Sequence, residues 1–216
     1  MAEIKYCGLT RSEDAAFAGV LGAAYLGVIF AGGPRMLTPV RAAEVLDGCR
    51  TAARRVGVFG RALPAEIGRI AREVRLDVIQ LHGDPFAADV AAVRRESAAQ
   101  IWAVVRITDS LPPEVEELFD AADAVLIDAR VPGSLGGNGV AVDWPALRNA
   151  LAARRGERRV VLAGGLAPEN VARALATLSP DVVDVSSGVE SAPGIKDHAR
   201  MRAFAAAVAG AAQEKR

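Results

Sequence analysis

Short β-branched runs alternate with longer Ala/Leu/Arg/Glu-rich stretches along the whole chain, and this alternation constrains the fold more than any other feature. Strands are expected near Ile4–Cys7, Tyr25–Phe30, Arg55–Phe59, Asp77–Leu81, Ile101–Arg106, Ala124–Asp128, Arg159–Ala163 and Asp181–Val185. Helices are expected at Ser12–Leu21, Thr38–Thr51, Ala65–Val74, Pro85–Ser97, Pro112–Phe119, Trp144–Arg154 and Pro168–Leu178, with a last one near Lys196–Ala212. A helix after every strand carries the chain back over the sheet, so successive strands run parallel. Eight such units in 216 residues leave about 27 residues each, and eight units close a barrel rather than leave an open sheet.

The expected fold class is therefore α/β, a single (β/α)8 TIM barrel, with residues 1–216 forming one catalytic domain. A flavodoxin-like or Rossmann sheet is the alternative, weakened because no Gly-x-Gly-x-x-Gly follows the first strand. Hydrophobic residues make up 51% of the chain but aromatics only 5%, so small aliphatic side chains must fill strands buried on both faces. Pro39, Pro64, Pro85 and Pro168 fall at or near first helical positions, where a missing N–H costs little. Ser12, ahead of Glu13 and Asp14, reads as a capping side chain before an acidic first turn. Arg54-Arg55 and Arg94-Arg95 read as solvated helix ends, and Cys49 as a packed helical residue near Leu46.

Charge narrows the partners. Lys plus Arg (26) balances Asp plus Glu (26), which argues against general attraction to nucleic acid or an anionic membrane but not against one small anion. The N-terminal residues lack the pattern of a signal peptide. The longest apolar stretch, around Ala23–Ala31, is too short to span a bilayer. Cys7 and Cys49 match no metal or redox spacing. A cytoplasmic chain with free thiols is expected, a monomer by default, with a homodimer left open.

In a barrel of this class the chemistry sits at the C-terminal strand ends, and polar residues gather there. Lys5 and Cys7 share a face of the first strand, opposite to Ile4 and Tyr6. Gln80 and His82 repeat that spacing on the fourth strand, Asp128 ends the sixth, and Asp184 and Ser186 share a face on the eighth. Each has a plainer reading: a strand-end Cys as a small buried hydrophobe, the Asp as a loop cap, His82 as a turn residue. Their convergence favours an active site. Gly164-Gly165 after the seventh strand and Ser186-Ser187-Gly188 after the eighth would let backbone N–H groups and hydroxyls approach a phosphate, although two ordinary turns would look similar. Gly136-Gly137-Asn138-Gly139 reads either as a mobile cover or as a plain connection.

These same residues resemble the phosphoribosylanthranilate isomerase family, from Lys5 to about Asp197. The motifs that carry the resemblance are Lys5-Tyr6-Cys7-Gly8-Leu9-Thr10-Arg11 with Glu13-Asp14-Ala15, and Gln80-Leu81-His82-Gly83-Asp84. They continue with Leu162-Ala163-Gly164-Gly165-Leu166 with Pro168-Glu169-Asn170-Val171, and Asp184-Val185-Ser186-Ser187-Gly188-Val189-Glu190 with Pro193-Gly194 and Lys196-Asp197. The resemblance implies an Amadori rearrangement in tryptophan biosynthesis, acting on a small phosphorylated substrate without metal or organic cofactor. It implies Cys7 as general base, Asp128 as general acid, Arg35 on the anthranilate carboxylate, and His82 and Asp184 lining the substrate. Gly164, Gly165, Ser186, Ser187 and Gly188 would hold the phosphate. Lys5 would supply the positive charge that lowers the thiol's pKa. The second loop, Gly32-Gly33-Pro34-Arg35, is one residue shorter than is usual for the family. A histidine-pathway aminosugar isomerase typically carries an aspartate where Cys7 stands, and a noncatalytic phosphate-binding barrel would not need both Cys7 and Asp128.

Overall fold

The computed structural model describes residues 1–107, 111–112, 115–129 and 144–213. Eight parallel strands pair in sequence order: β1 (Glu3–Tyr6), β2 (Tyr25–Ile29), β3 (Arg54–Phe59), β4 (Val78–Leu81), β5 (Gln100–Ile107), β6 (Ala124–Ala129), β7 (Arg159–Ala163) and β8 (Val182–Val185). β8 returns to β1, Lys5 opposite Asp184, and the barrel closes. The helices are α1 (Ser12–Val20), α2 (Pro39–Asp47), α3 (Pro64–Val74), α4 (Ala87–Glu96), α5 (Val115–Ala121), α6 (Trp144–Arg154), α7 (Val171–Leu178) and α8 (His198–Gln213). The chain thus adopts the expected (β/α)8 barrel. The Gly136-Gly137-Asn138-Gly139 loop lies outside the described residues.

Period-two alternation divides each strand between two cores. Tyr25, Val56, Val78, Trp102, Val104, Leu126, Val161 and Val182 form an inner cluster, where the rings of Tyr25 and Trp102 meet edge to face at 4.8 Å. Alternate residues, among them Val105, Ile127, Leu162 and Val183, face outward and pack beneath the helices. Tyr6 takes that outward direction, and its hydroxyl donates to the Met201 carbonyl of α8. Burial on both sides is what the aliphatic-rich composition requires.

The N-terminal end of the barrel closes on charge. Glu3 pairs with Arg159 and stands 3.8 Å from Arg54, whose guanidinium lies over the Tyr25 ring at 4.5 Å. Arg54 and Arg55 therefore open a strand rather than end a helix, and Arg55 bonds Asp47.

Several local expectations change. Ser12 lies inside α1 rather than capping it, and its hydroxyl reaches the Glu44 carbonyl instead. α2 stops at Asp47 before Gly48, a poor helix former, so Cys49 falls beyond the helix while still packing on the core. A short antiparallel pair, β9 (Glu190–Ala192) and β10 (Ile195–Lys196), separates β8 from α8. It is tied back by the fully buried Asp14, whose carboxylate receives Arg11, the Lys196 amide and the His198 ring. Among the described residues no helix is long and apolar enough to cross a membrane.

Candidate active site

A cavity of about 340 Å³ opens at the C-terminal mouth of the barrel. Cys7, His82, Asp128 and Asp184 contribute ionisable groups to its wall, and Gly164, Gly165, Ser186 and Ser187 contribute two loops. Five strands, β1, β4, β6, β7 and β8, therefore deliver the polar strand-end residues into one space. Arg35 and Gly188 lie outside that wall. Larger hollows exist elsewhere, one at the N-terminal end and one between the loops after β3 and β4. Neither of those hollows gathers, as the barrel mouth does, a thiol, an imidazole and two carboxyls.

Beneath the cavity lies a buried ion pair. Lys5 is fully buried, and its Nζ donates to Asp184 Oδ2 at 2.7 Å. Burial works against the Lys5 ammonium, but the Asp184 carboxylate and then Cys7 outweigh it and hold its pKa above the ordinary lysine value. Cys7 sits one pleat above. Burial pushes its thiol up; Lys5 and Lys196 pull it back while Asp184 adds to the rise, and the net movement is upward. Lys5 thus opposes the rise, as its charge requires, without bringing the thiol below its usual range. Desolvation wins because the sulfur has almost no contact with solvent.

Across the mouth, the Asp128 side chain keeps 29% of its exposure and faces His82, with Nε2 to Oδ2 at 3.7 Å. The run Val125-Leu126-Ile127 leading to it is fully buried, so the carboxyl sits where an apolar wall gives way to the cavity. Gln80, buried on the same face of β4, places its amide nitrogen 3.2 Å from His82 Nδ1. Burial lowers the His82 pKa below 6.5, with Asp128 opposing and Arg106 assisting. The ring is consequently neutral near pH 7.

Arg35 is held from a direction the sequence did not disclose. Its Nε and Nη2 donate to the two oxygens of Glu190 at 2.9 and 2.6 Å. Glu190, on β9, also receives Lys196 Nζ from β10 at 2.8 Å, and the same ammonium reaches the Ser186 carbonyl. Desolvation would raise the Glu190 carboxyl, but Arg35 and Lys196 keep it below the usual range. Among the described residues Arg35 Nη1 has no partner. The Arg35 stem crosses Gly8, where a Cβ would lie 2.6 Å from its Cδ and 2.9 Å from Ser186 Oγ. The guanidinium thus stands beside the Ser186 loop, although it does not line the cavity. Glu190 and Lys196 occur in the sequence motifs, yet only the fold reveals what they grip.

The two glycine-containing loops are braced. Gly164 and Gly165 adopt left-handed backbone, φ 101° and 66°. Asn170 accepts from the Ala167 amide and donates to the Gly165 carbonyl. Gly188 passes so close to the first loop that a Cβ would lie 1.9 Å from the Leu166 carbonyl oxygen, and Arg200 of α8 grips the Gly188 carbonyl at 2.9 Å. Gly188 is therefore a point of loop contact. Gly164, Gly165, Ser186 and Ser187 face the cavity.

Architecture and site together define an acid–base enzyme of the (β/α)8-barrel class. Within that class the chain belongs to the N-(5'-phosphoribosyl)anthranilate isomerase family, whose model matches residues 4–207. It is 41% identical to the N-(5'-phosphoribosyl)anthranilate isomerase of Paracoccus denitrificans over 210 residues, covering 94% of this chain and 95% of that one. A solved phosphoribosyl anthranilate isomerase from Thermus thermophilus superposes with a TM-score of 0.82 at 38% identity, covering 96% of this chain and 98% of its own. A second solved isomerase, in complex with reduced 1-(o-carboxyphenylamino)-1-deoxyribulose 5-phosphate, has a TM-score of 0.81 at 31% identity, covering 97% and 100%.

Proposed function

We propose that this protein converts N-(5'-phosphoribosyl)anthranilate to 1-(2-carboxyphenylamino)-1-deoxyribulose 5-phosphate, the Amadori step of tryptophan biosynthesis. The strongest support is the single cavity shared by Cys7, Asp128 and the two loops. In this reading Asp128 protonates the ring oxygen, the furanose opens, and an iminium ion forms at C1. The C2 proton then becomes acidic, and Cys7 removes it. Burial disfavours the thiolate, but the iminium cation would arrive beside it and supply positive charge. The base is thus strengthened by the intermediate on which it acts.

Gly164, Gly165, Ser186 and Ser187 would offer amide and hydroxyl donors to the phosphate, with Gly188 fixing the spacing of the loops. Arg35 would meet the anthranilate carboxylate through Nη1, because Glu190 occupies the other side of its fork. His82 and Asp184 would line the sugar. Every assigned residue comes from one chain, so one barrel domain working as a monomer in the cytoplasm is sufficient for this chemistry.

The test is a fluorescence assay with freshly prepared N-(5'-phosphoribosyl)anthranilate. The protein should consume it, and Cys7→Ala should lose about 100- to 10,000-fold in turnover, the usual range for a positioned base. A Cys7→Ala protein as fast as the parent would remove the mechanism.

A further inference from the structure

The rearrangement is not finished when Cys7 has taken the C2 proton. At that point the substrate is an enolamine, C1=C2–OH, whereas the product carries a ketone at C2. C1 must gain a proton and the C2 hydroxyl must lose one. Cys7, now a thiol, holds the proton that C1 needs. The hydroxyl still requires an acceptor.

Asp184 offers an oxygen suited to that task. Its Oδ2 is engaged by Lys5, while Oδ1 is buried and has no hydrogen-bond partner among the described residues. Its side chain nevertheless belongs to the cavity wall. Asp184 lies opposite Lys5 in the β1–β8 pairing, and the Cys7 amide donates to the next carbonyl along β8, that of Val185, at 2.9 Å. By that register Cys7 falls opposite Ser186, so Cys7 and Asp184 stand on adjoining strands one same-face step apart. The Cys7 sulfur and the Lys5 Cε both lie within 3.3 Å of the point that a Gly27 Cβ would occupy, so the thiol stands next to the Lys5 side chain that holds Asp184. The hydroxyl in question is bonded to the carbon that Cys7 deprotonates, and the carboxylate one same-face step from Cys7, in the same cavity wall, lies toward it.

The competing groups are committed. His82 uses Nδ1 on Gln80 and turns Nε2 toward Asp128. Glu190 has both oxygens engaged by Arg35 and Lys196. Among the described residues Gln80 Oε1 is also buried and without a partner, but an amide oxygen can accept a hydrogen bond without functioning as a base near neutral pH. Asp128, after giving up its proton, is occupied at the former ring oxygen.

Building on the function proposed above, we propose that Asp184 is a second catalytic base: Oδ1 binds the C2 hydroxyl and takes its proton as the ketone forms. The O–H electron pair becomes the second bond of C2=O. The C1=C2 π pair collects the proton from the Cys7 thiol at C1, which regenerates the thiolate. Asp184 ends protonated and Asp128 ends deprotonated, so one proton returns from the first to the second through the open mouth and the cycle closes with no co-reactant. The Lys5 ammonium engages Oδ2 and leaves Oδ1 free among the described residues.

The test separates proton removal at C2 from completion of the reaction. Enzyme and freshly made N-(5'-phosphoribosyl)anthranilate are mixed in D2O, and deuterium at C2 of substrate recovered at partial conversion is compared with product formed. In Asp184→Asn the enolamine still forms but stalls and reverts. Turnover should fall about 100-fold or more, and C2 exchange per turnover should rise by about tenfold or more. An Asp184→Asn protein with the parental ratio of exchange to turnover, however slow, would overturn the proposal, because general damage to the site lowers both together. Should the unpaired Lys5 prevent folding, Lys5→Met/Asp184→Asn removes the pair as a unit and is read in the same way. Cys7→Ala should be silent in exchange and turnover alike. Continued C2 exchange in that variant would overturn the assignment of Cys7, and this inference with it. A silent Cys7→Ala beside an unchanged ratio in Asp184→Asn would sink the inference alone.

Discussion

The two ends of the barrel carry similar side chains and use them in opposite ways. At the N-terminal end, Glu3, Arg54 and Arg159 answer one another, and each remains partly in contact with solvent. At the C-terminal end, Lys5 and Asp184 are drawn out of water, and one carboxylate oxygen has no partner among the described residues. Exposed pairs of the first kind contribute little, because water competes for each charge. A buried pair of the second kind is expensive to assemble and damaging to break. The contrast teaches where polar residues serve the fold and where the fold holds them ready for a ligand.

The largest expected effect lies at the C-terminal end. Asp128→Asn should lower turnover about 100- to 10,000-fold, since the amide keeps the shape but cannot donate the acid proton. The Michaelis constant should stay within a few-fold, as steady-state fluorescence would report. Weak binding with normal turnover at saturation would break the assignment of Asp128.

Next comes Lys5→Met. It strands Asp184 without its partner and should cost about 3–5 kcal/mol in denaturant unfolding. It also has a direction in pH. With Cys7 as the proposed base the reaction would need the thiolate, so kcat/KM should rise as Cys7 deprotonates. Lys5 lowers that pKa against the upward push of burial. Removing the ammonium should therefore move the rising limb of the pH profile further toward alkaline values. An unmoved limb would mean that the thiol does not feel the charge beneath it.

Arg35→Ala should raise the Michaelis constant by about ten- to a hundredfold, the loss of a hydrogen bond to a charged group, with turnover nearly unchanged. An unaltered constant would put the carboxylate elsewhere. The smallest effect belongs to the other end. Arg159→Met removes the partner of Glu3 and should cost no more than about 1 kcal/mol, with kcat unaffected. A loss as large as that of Lys5→Met would erase the distinction between the two ends.

Period-two reading paired Lys5 with Cys7, Gln80 with His82 and Asp184 with Ser186 on common strand faces, so these residues, with Asp128 at the end of the sixth strand, were legible as strand-end groups at one rim. β7 and α6 coincide with their expected limits because Arg159–Ala163 and Trp144–Arg154 each end in a clear change of pattern. The brace on Arg35 was not legible. Glu190 meets it from a short hairpin more than 150 residues away in sequence, and Lys196 braces Glu190 in turn; no local periodicity records such a contact. The state of the thiol was likewise beyond the sequence, which names Lys5 and Cys7 as neighbours but cannot weigh an ammonium against complete desolvation. Ser12 shows the same limit on a smaller scale. Its hydroxyl could cap its own helix or serve the next one, and the packing of α1 on α2 selected the second.

The near-contact of Gly188 with the Leu166 carbonyl has one more consequence. The loops touch backbone to backbone and are tethered by Asn170 and Arg200, so, on the proposed function, the receptor for an anion would be finished when the chain has folded. A phosphate docking there meets amides and hydroxyls that have little conformational freedom left to lose. The gain on binding can then go into orienting the rest of the substrate, whose reacting carbons lie several bonds from the group that anchors it.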